Sequence, residues 1–306
     1  MKYAYFPGCS LESTAWDFDR STRAVCRVLG IELEEIPNWV CCGSTPAHSS
    51  NAALAVALPA LNLQKAAAMG QPVLTACASC YARLRTANHA VRNEPAERER
   101  VGRVTGRPYL GQVEVHHVLD ALVNHFGLEK IRQKVQRPLD GLRVACYYGC
   151  LLTRPPEVVA FDDPENPTCM DDLVAALGAE PVRWPYKTEC CGASLSISNS
   201  QVVSRLGQKL VAMARQADAQ CIVVACPLCQ LNLDLRQADA RKTDAGLPET
   251  PVLYITQLLG LALGLKAAEV GLDALSVPAD SLFAADKCSC CCEKTPACSS
   301  TVRGAS

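Results

Sequence analysis

The hydrophobic positions of this chain switch between two rhythms. Short apolar runs fall at residues 3–6, 73–76, 144–148, 221–225 and 252–254, with mixed but strand-like runs at 32–36, 113–115 and 180–184. Between them lie longer stretches whose apolar residues recur every three or four positions: 20–29, 52–69, 170–177 and 202–217. The short runs predict strands and the longer stretches helices. Gly30 and Gly178 follow two of the helical stretches and predict their ends. Further helices are expected from about Tyr81 and Leu231, and after the fourth strand of each half. Strands alternating with helices imply parallel sheets covered by helices, an α/β fold.

The order of elements occurs twice. Two similar, pseudo-twofold-related domains are therefore expected, residues 1–137 and 138–285, each a small, mainly parallel sheet flanked by helices. The division falls in the polar stretch Gln136-Arg137-Pro138-Leu139-Asp140-Gly141. Residues 93–108, rich in Arg, Glu and Pro, are expected to be a surface insertion. The tail 286–306 has no periodic apolar face and is expected to be mobile.

At 306 residues, 49% hydrophobic and 20% charged, the chain is long enough for two ordinary cores. A net charge of −1 and 5% aromatic residues argue against nucleic acid or an anionic membrane surface as the main partner. No run of roughly 18 apolar residues is present, so no membrane span is expected. The stretch 252–265 reads as a buried strand and helix. The start of the chain has no basic segment followed by a long apolar stretch, so no signal peptide is expected. Nineteen cysteines without such a segment point to a cytoplasmic setting, where cysteine clusters mean metal or redox chemistry.

Ten of those cysteines form one pattern used twice. Cys9, Cys41-Cys42-Gly43 and Cys77-x-x-Cys80 are matched by Cys150, Cys190-Cys191-Gly192 and Cys226-x-x-Cys229. In both copies 34 residues separate the paired cysteines from the C-x-x-C. All three elements follow predicted strands, so five thiols are expected at the carboxyl end of each sheet. Five are too many for one tetrahedral zinc and suit a polynuclear iron–sulfur centre. A C-x-x-C at a helix start also sets its thiolates at the positive end of the helix dipole.

Tyr5-Phe6-Pro7-Gly8-Cys9-Ser10, Glu189-Cys190-Cys191-Gly192-Ala193 and Ala225-Cys226-Pro227-Leu228-Cys229 resemble the motifs of the cysteine-rich CCG family, above all the B-type subunit of heterodisulfide reductases. The likeness covers about residues 1–265. It implies two noncubane [4Fe–4S] clusters, one held by Cys9, Cys41, Cys42, Cys77 and Cys80, the other by Cys150, Cys190, Cys191, Cys226 and Cys229. It implies that a disulfide is split reductively between them, or thiols oxidised in reverse. Cleaving a disulfide takes two electrons, and a pair of one-electron centres matches that need. No glycine fingerprint for flavin or nucleotide follows a strand, so partner subunits are expected. The family supplies a ferredoxin-like C-type subunit and a flavin-bearing A-type subunit. Two alternatives remain open: an electron-relay component of a glycolate, lactate, glycerol-3-phosphate or succinate type dehydrogenase, and a zinc-stabilised scaffold.

Other residues are candidates or bystanders. His48 could hand a proton to a departing thiolate, and Lys187 could tune a cluster or hold an anionic substrate group. His116 and His117 follow a strand, so only one can face inward, and surface placement is expected. Arg83 and Arg85 are expected on a solvated helix face. Cys26, Cys169 and Cys221 read as small buried hydrophobes, and Cys146, inside a strand four residues before Cys150, is left out of the ligand set. Cys288, Cys290, Cys291, Cys292 and Cys298 lie in the tail, where metal binding and redox pairing stand beside no function at all.

Overall fold

The computed structural model describes residues 1–44, 46–239 and 249–283, so the expected mobile tail and its cysteines lie outside the described residues. The first half contains strands β1 (Lys2–Tyr5), β2 (Glu32–Glu35), β3 (Val73–Thr75) and β4 (Val115–His117). The second contains β5 (Arg143–Tyr147), β6 (Glu180–Pro181), β7 (Cys221–Val224) and β8 (Val252–Tyr254). Each half is one parallel sheet, ordered β2-β1-β3-β4 and β6-β5-β7-β8. Among the described residues, the helices of eight or more residues are α1 (Trp16–Leu29), α2 (Ala52–Met69), α3 (Ala78–Asn93), α4 (Pro95–Thr105), α5 (Cys169–Ala176), α6 (Ser200–Gln216), α7 (Pro227–Asp234) and α8 (Ile255–Ala262). The α/β class and the duplicated sheet agree with the sequence reading.

Strand chemistry follows position in the sheet. Val73-Leu74-Thr75 and Cys221-Ile222-Val223-Val224 are buried at every residue. Strands covered on both faces read as continuous apolar runs, not as alternation. The edge strand β2 is Glu-Leu-Glu-Glu, and Glu34 pairs with Lys2 at 2.8 Å. Charge on an edge discourages pairing with another chain. The edge strand of the second sheet, β6, is shorter than the expected 180–184. After Pro181, Val182 N–H still bonds Val144 O at 2.9 Å, and the Trp184 indole N–H takes Cys146 O at 3.0 Å. A side chain thus takes the place of further ladder bonds.

The halves pack reciprocally. Helix α8 of the second lies against α1 of the first, where Phe18 stacks on Tyr254 with centroids 4.0 Å apart. Ser21 and Thr256 share a 2.7 Å hydrogen bond, and Gln257 Nε2 donates to Asp17 Oδ2 at 3.1 Å. On the other side, Leu128–Arg132 packs on α5. Arg85 turns away from the solvated face expected for it and donates to Val158 O and Val159 O of the second half at 3.0 and 3.1 Å. The segment 93–108 contains helix α4, which buries Val101.

Helix α2 is 18 residues long and, among the described residues, is the one helix long and apolar enough to cross a membrane by length and composition. A third of it is buried within this fold. Its Asn62 is fully buried and exchanges two 2.8 Å bonds with the backbone of Val40, just before the paired cysteines.

Candidate metal centre

The sheet order places the thiols. In both halves the chain runs outward from the first strand to the edge, then crosses back to its other side. The crevice at such a reversal opens at the carboxyl ends of the strands. The registers align those ends: Tyr5 with Glu35 and Leu74, Tyr147 with Val224, and Val224 with Tyr254. Cys9 and Cys150 follow β1 and β5, the Cys-Cys-Gly turns follow the edge strands, and each C-x-x-C opens the helix after the next strand. Cys77 and Cys226 are the N-caps of α3 and α7. The short loops after the second strands are fixed from the adjoining helices. Asn62 holds Val40 in the first half, and Asn232 Nδ2 donates to Cys191 O at 3.3 Å in the second.

The five cysteines of each half are brought together. Cys42 and Cys80 have sulfurs 3.3 Å apart, and Cys191 and Cys229 3.6 Å apart. The backbone N–H groups of Gly43 and Gly192 point at Cys41 Sγ and Cys190 Sγ, at 3.4 and 3.3 Å. Gly8 and Gly149 have φ of +72° and +68°, and a Cβ there would lie 2.9 Å from Cys80 Sγ and 3.1 Å from Cys229 Sγ. Only glycine tolerates both that backbone and that approach. Cys42, Cys77, Cys80, Cys191, Cys226 and Cys229 are buried, whereas Cys9, Cys41 and Cys190 are exposed and Cys150 is intermediate. Each site has a closed floor and an open rim.

The sites also meet each other. Across the seam Cys77 and Cys226 act on each other's ionisation, with Cys77 pushed up and Cys226 held down. The next contact in the same wall is His117. Its Nδ1 accepts the Leu119 N–H at 3.1 Å, so Nε2 carries the proton and faces Ala76 O at 2.8 Å and Ala225 O at 3.1 Å. Those carbonyls directly precede Cys77 and Cys226. Burial holds the His117 pKa down to about 4, so the ring is neutral. The surface placement expected for His117 is overturned, and His116 is buried too. A strand in a parallel sheet covered on both faces has no solvent face for either residue.

Electrostatics distinguish the thiols. Hydrogen bonds from Cys41 and Cys80 bring Cys42 down to about 4, while Cys41 and Cys80 are pushed up as donors to it. Bonds from Cys229 and Cys77 hold Cys226 well below its ordinary value, and Cys229 rises. Burial pushes Cys150 up to about 12. Thiols packed this closely cannot all ionise without a cation among them, because like charges raise one another's pKa. A cluster of iron cations supplies that charge, and the donor set is the soft thiolate type iron–sulfur centres use. The residues therefore fit such a cluster.

The remaining candidates adjoin the cysteine turns through their backbones. His48 is exposed, with its backbone N–H on Gly43 O at 3.1 Å. The Lys187 ammonium is buried against Asp171 at 3.0 Å and Pro167 O at 2.9 Å. What Lys187 gives the second site is its carbonyl oxygen, which accepts the N–H groups of Tyr148 and Gly149 at 2.8 and 3.1 Å. Tyr148 closes that support, donating its hydroxyl to Asp171 Oδ2 at 2.6 Å. Cys26 and Cys221 are buried, with pKa values raised to about 12 by burial, as expected of small hydrophobes. Cys146 is raised for the same reason. Cys169 is half-buried and is raised to about 12.

Comparison with known proteins agrees with the fold. The CCG cysteine-rich domain family matches residues 3–85 and 144–234. The chain is 35% identical over 273 residues to the 8-methylmenaquinol:fumarate reductase membrane anchor subunit of Wolinella succinogenes, covering 89% of this chain and 95% of that one. It is 32% identical over 278 residues to the B subunit of the ferredoxin/F(420)H(2)-dependent CoB-CoM heterodisulfide reductase of Methanosarcina acetivorans, covering 89% and 92%. A crystal structure of a hypothetical protein from Helicobacter pylori shares the fold with a TM-score of 0.71 at 14% identity, over 91% of this chain and 52% of that longer one.

Proposed function

This chain belongs to the CCG cysteine-rich domain family, and from that premise we propose that it is the catalytic iron–sulfur subunit of a heterodisulfide-reductase-like complex. Cys9, Cys41, Cys42, Cys77 and Cys80 hold one noncubane [4Fe–4S] cluster, and Cys150, Cys190, Cys191, Cys226 and Cys229 the other. When bound, such clusters supply electrons one at a time. The observation that carries the reading is the His117 ring, which faces the carbonyls directly preceding Cys77 and Cys226 at 2.8 and 3.1 Å and so sets two five-thiol sites side by side. A disulfide needs two electrons, and two adjoining centres can deliver both.

The protein's own groups have separable tasks in this reading. The exposed rim formed by Cys9, Cys41 and Cys190 admits the disulfide, and the buried floors exclude water from the electron path. His48, tied to Gly43, hands a proton to a departing thiolate. Lys187 and Asp171 hold the Tyr148-Gly149-Cys150 turn in place. Electrons come from partners in the cytoplasm, a ferredoxin-like C-type subunit and a flavin-bearing A-type subunit, as expected from the relatives named as B subunits of heterodisulfide reductases.

A second reading is favoured by the relative named a fumarate reductase membrane anchor subunit, 35% identical over nearly its whole length. There the paired sites relay electrons for another oxidation and have no disulfide substrate. The two readings separate in one assay. The anaerobically reconstituted chain, reduced with a viologen dye, is offered small alkyl disulfides. Turnover that is lost in Cys42→Ala supports the first reading. Full clusters that reoxidise only with an electron acceptor, and never with a disulfide, support the second.

A further inference from the structure

Three of the chain's five histidines, His89, His116 and His125, line one polar cleft of about 560 Å³, which Glu157 and Val158 of the second half also line. Successive residues of a strand point to opposite faces, so the cleft lies on the other side of β4 from His117 and the thiols. At its wall, Asp120 Oδ2 is 2.9 Å from His116 Nδ1 and 3.6 Å from His125 Nε2. One ligand atom from each of the three residues lies within 4.8 Å of the other two. Ligands about 2.0–2.1 Å from a tetrahedral zinc stand roughly 3.3 Å from one another, and the two measured separations straddle that value.

Local structure supplies independent reasons to expect a ligand. Residues Ala121–Gly127 form a π-helical turn, a rare element that occurs mostly at functional sites. In an α-helix, Asp120 and His125 would project about 140° apart. The wider turn brings them to one side. Asp120 is also oriented: Asn124 Nδ2 donates to its Oδ1 at 2.8 Å, leaving Oδ2 to the two imidazoles. Such an outer hydrogen bond is the usual support of a metal-binding carboxylate. His116 and Asp120 are mostly shielded, whereas His125 faces the cleft.

We propose that His116, Asp120 and His125 form a third metal site, distinct from the two cysteine centres, for a divalent cation of the zinc type. Two imidazoles and one carboxylate fill three positions, and the fourth opens to the cleft for water, while Glu114 Oε2 lies 3.4 Å from the other ring nitrogen of His116, Nε2. This donor set selects zinc-type cations over magnesium or calcium, which prefer all-oxygen sites.

The test uses the full, cluster-loaded chain with its accessible thiols alkylated, equilibrated with Zn²⁺ and desalted. Wild type should retain one zinc more per chain than His125→Ala or Asp120→Asn, with iron content equal in all three. X-ray absorption of the extra zinc should place its neighbours at about 2.0–2.1 Å, the length for nitrogen and oxygen. Equal zinc in wild type and both variants would reduce the cluster to an ion-paired wall of the cleft and overturn the proposal. So would neighbours at about 2.3 Å, the length for sulfur.

Discussion

The first half approaches its leading cysteine through Phe6-Pro7-Gly8, the second through Tyr147-Tyr148-Gly149. Phe6 meets Trp39 edge-on at 5.5 Å. Tyr147 lies beside Trp184 and donates its hydroxyl to Glu189 O at 2.7 Å, just before the paired cysteines. The second half also sets Asn232 Nδ2 3.7 Å from Cys191 Sγ. The helix caps differ as well: Cys226 is held below its ordinary value, whereas Cys77 is pushed above it. What the halves share is dictated by sulfur: the glycines at close approach, the N–H groups on Cys41 and Cys190, and the caps. What differs is the polar lining. Hydrogen bonding near the sulfurs moves a cluster's potential, so the duplication predicts two centres of one architecture and unequal potentials.

Substitution at the shared glycines should have the largest effect and should fall unequally. Gly8→Ala adds a Cβ 2.9 Å from Cys80 Sγ, and Gly149→Ala one 3.1 Å from Cys229 Sγ. Each also costs about 1–2 kcal/mol for a left-handed alanine. Iron analysis should show Gly8→Ala losing about half its iron, with a smaller loss for Gly149→Ala. Equal iron in both variants and wild type would mean the thiols give way freely.

Removing the wall between the sites comes next. His117→Ala leaves Ala76 O and Ala225 O without their shared donor, at about 1–3 kcal/mol for each buried carbonyl left unpaired. Thermal unfolding should fall accordingly, and the EPR signals of both centres should shift together. A shift confined to one centre would break the view of His117 as a shared support.

The seam beside the sites should show a pH signature. Burial raises Asp17 from 3.8 to about 6. Its contribution is therefore fully present below pH 3.8 and is lost as pH rises through about 6. At 1.36 kcal/mol per pKa unit, wild type should lose about 3 kcal/mol relative to Asp17→Asn between those limits. Denaturant unfolding at pH 4 and pH 7 reads that difference, and a constant gap would contradict it. The smallest effect is expected from Tyr147→Phe, which makes the second turn resemble the first. It removes one hydrogen bond, about 1 kcal/mol. A redox titration should shift the potential of the second centre alone.

The sequence rhythm makes much of this readable. Continuous apolar runs mark the central strands, and the cysteine elements lie at their ends as expected. The edge strand is shorter than the run 180–184 because Pro181 and the Trp184 side chain end the ladder early, which no periodicity reveals. The fourth strand begins at Val115, not Val113, and that shift carries His117 into the seam. His117 escapes a sequence reading for a physical reason: alternation assigns one face of a strand to solvent, and this sheet has no such face. Its counterpart at the end of β8 is Tyr254, also buried, so comparing the repeats is the signal that points to it. Lys187 is legible as a residue near the second site, but the partner that occupies its ammonium, Asp171, lies 16 residues earlier and is joined to it only by folding.

The central claim is that two complete five-thiol sites each hold a cluster and face a sulfur substrate. The most direct measurement is iron and acid-labile sulfide in the chain purified without oxygen, with EPR recorded after thiol addition and mild oxidation. About eight irons and eight sulfides per chain are expected, at four per cluster, with a signal that changes when thiol is added. About four irons with a zinc in the other half, or eight irons whose signal ignores thiols, would contradict it.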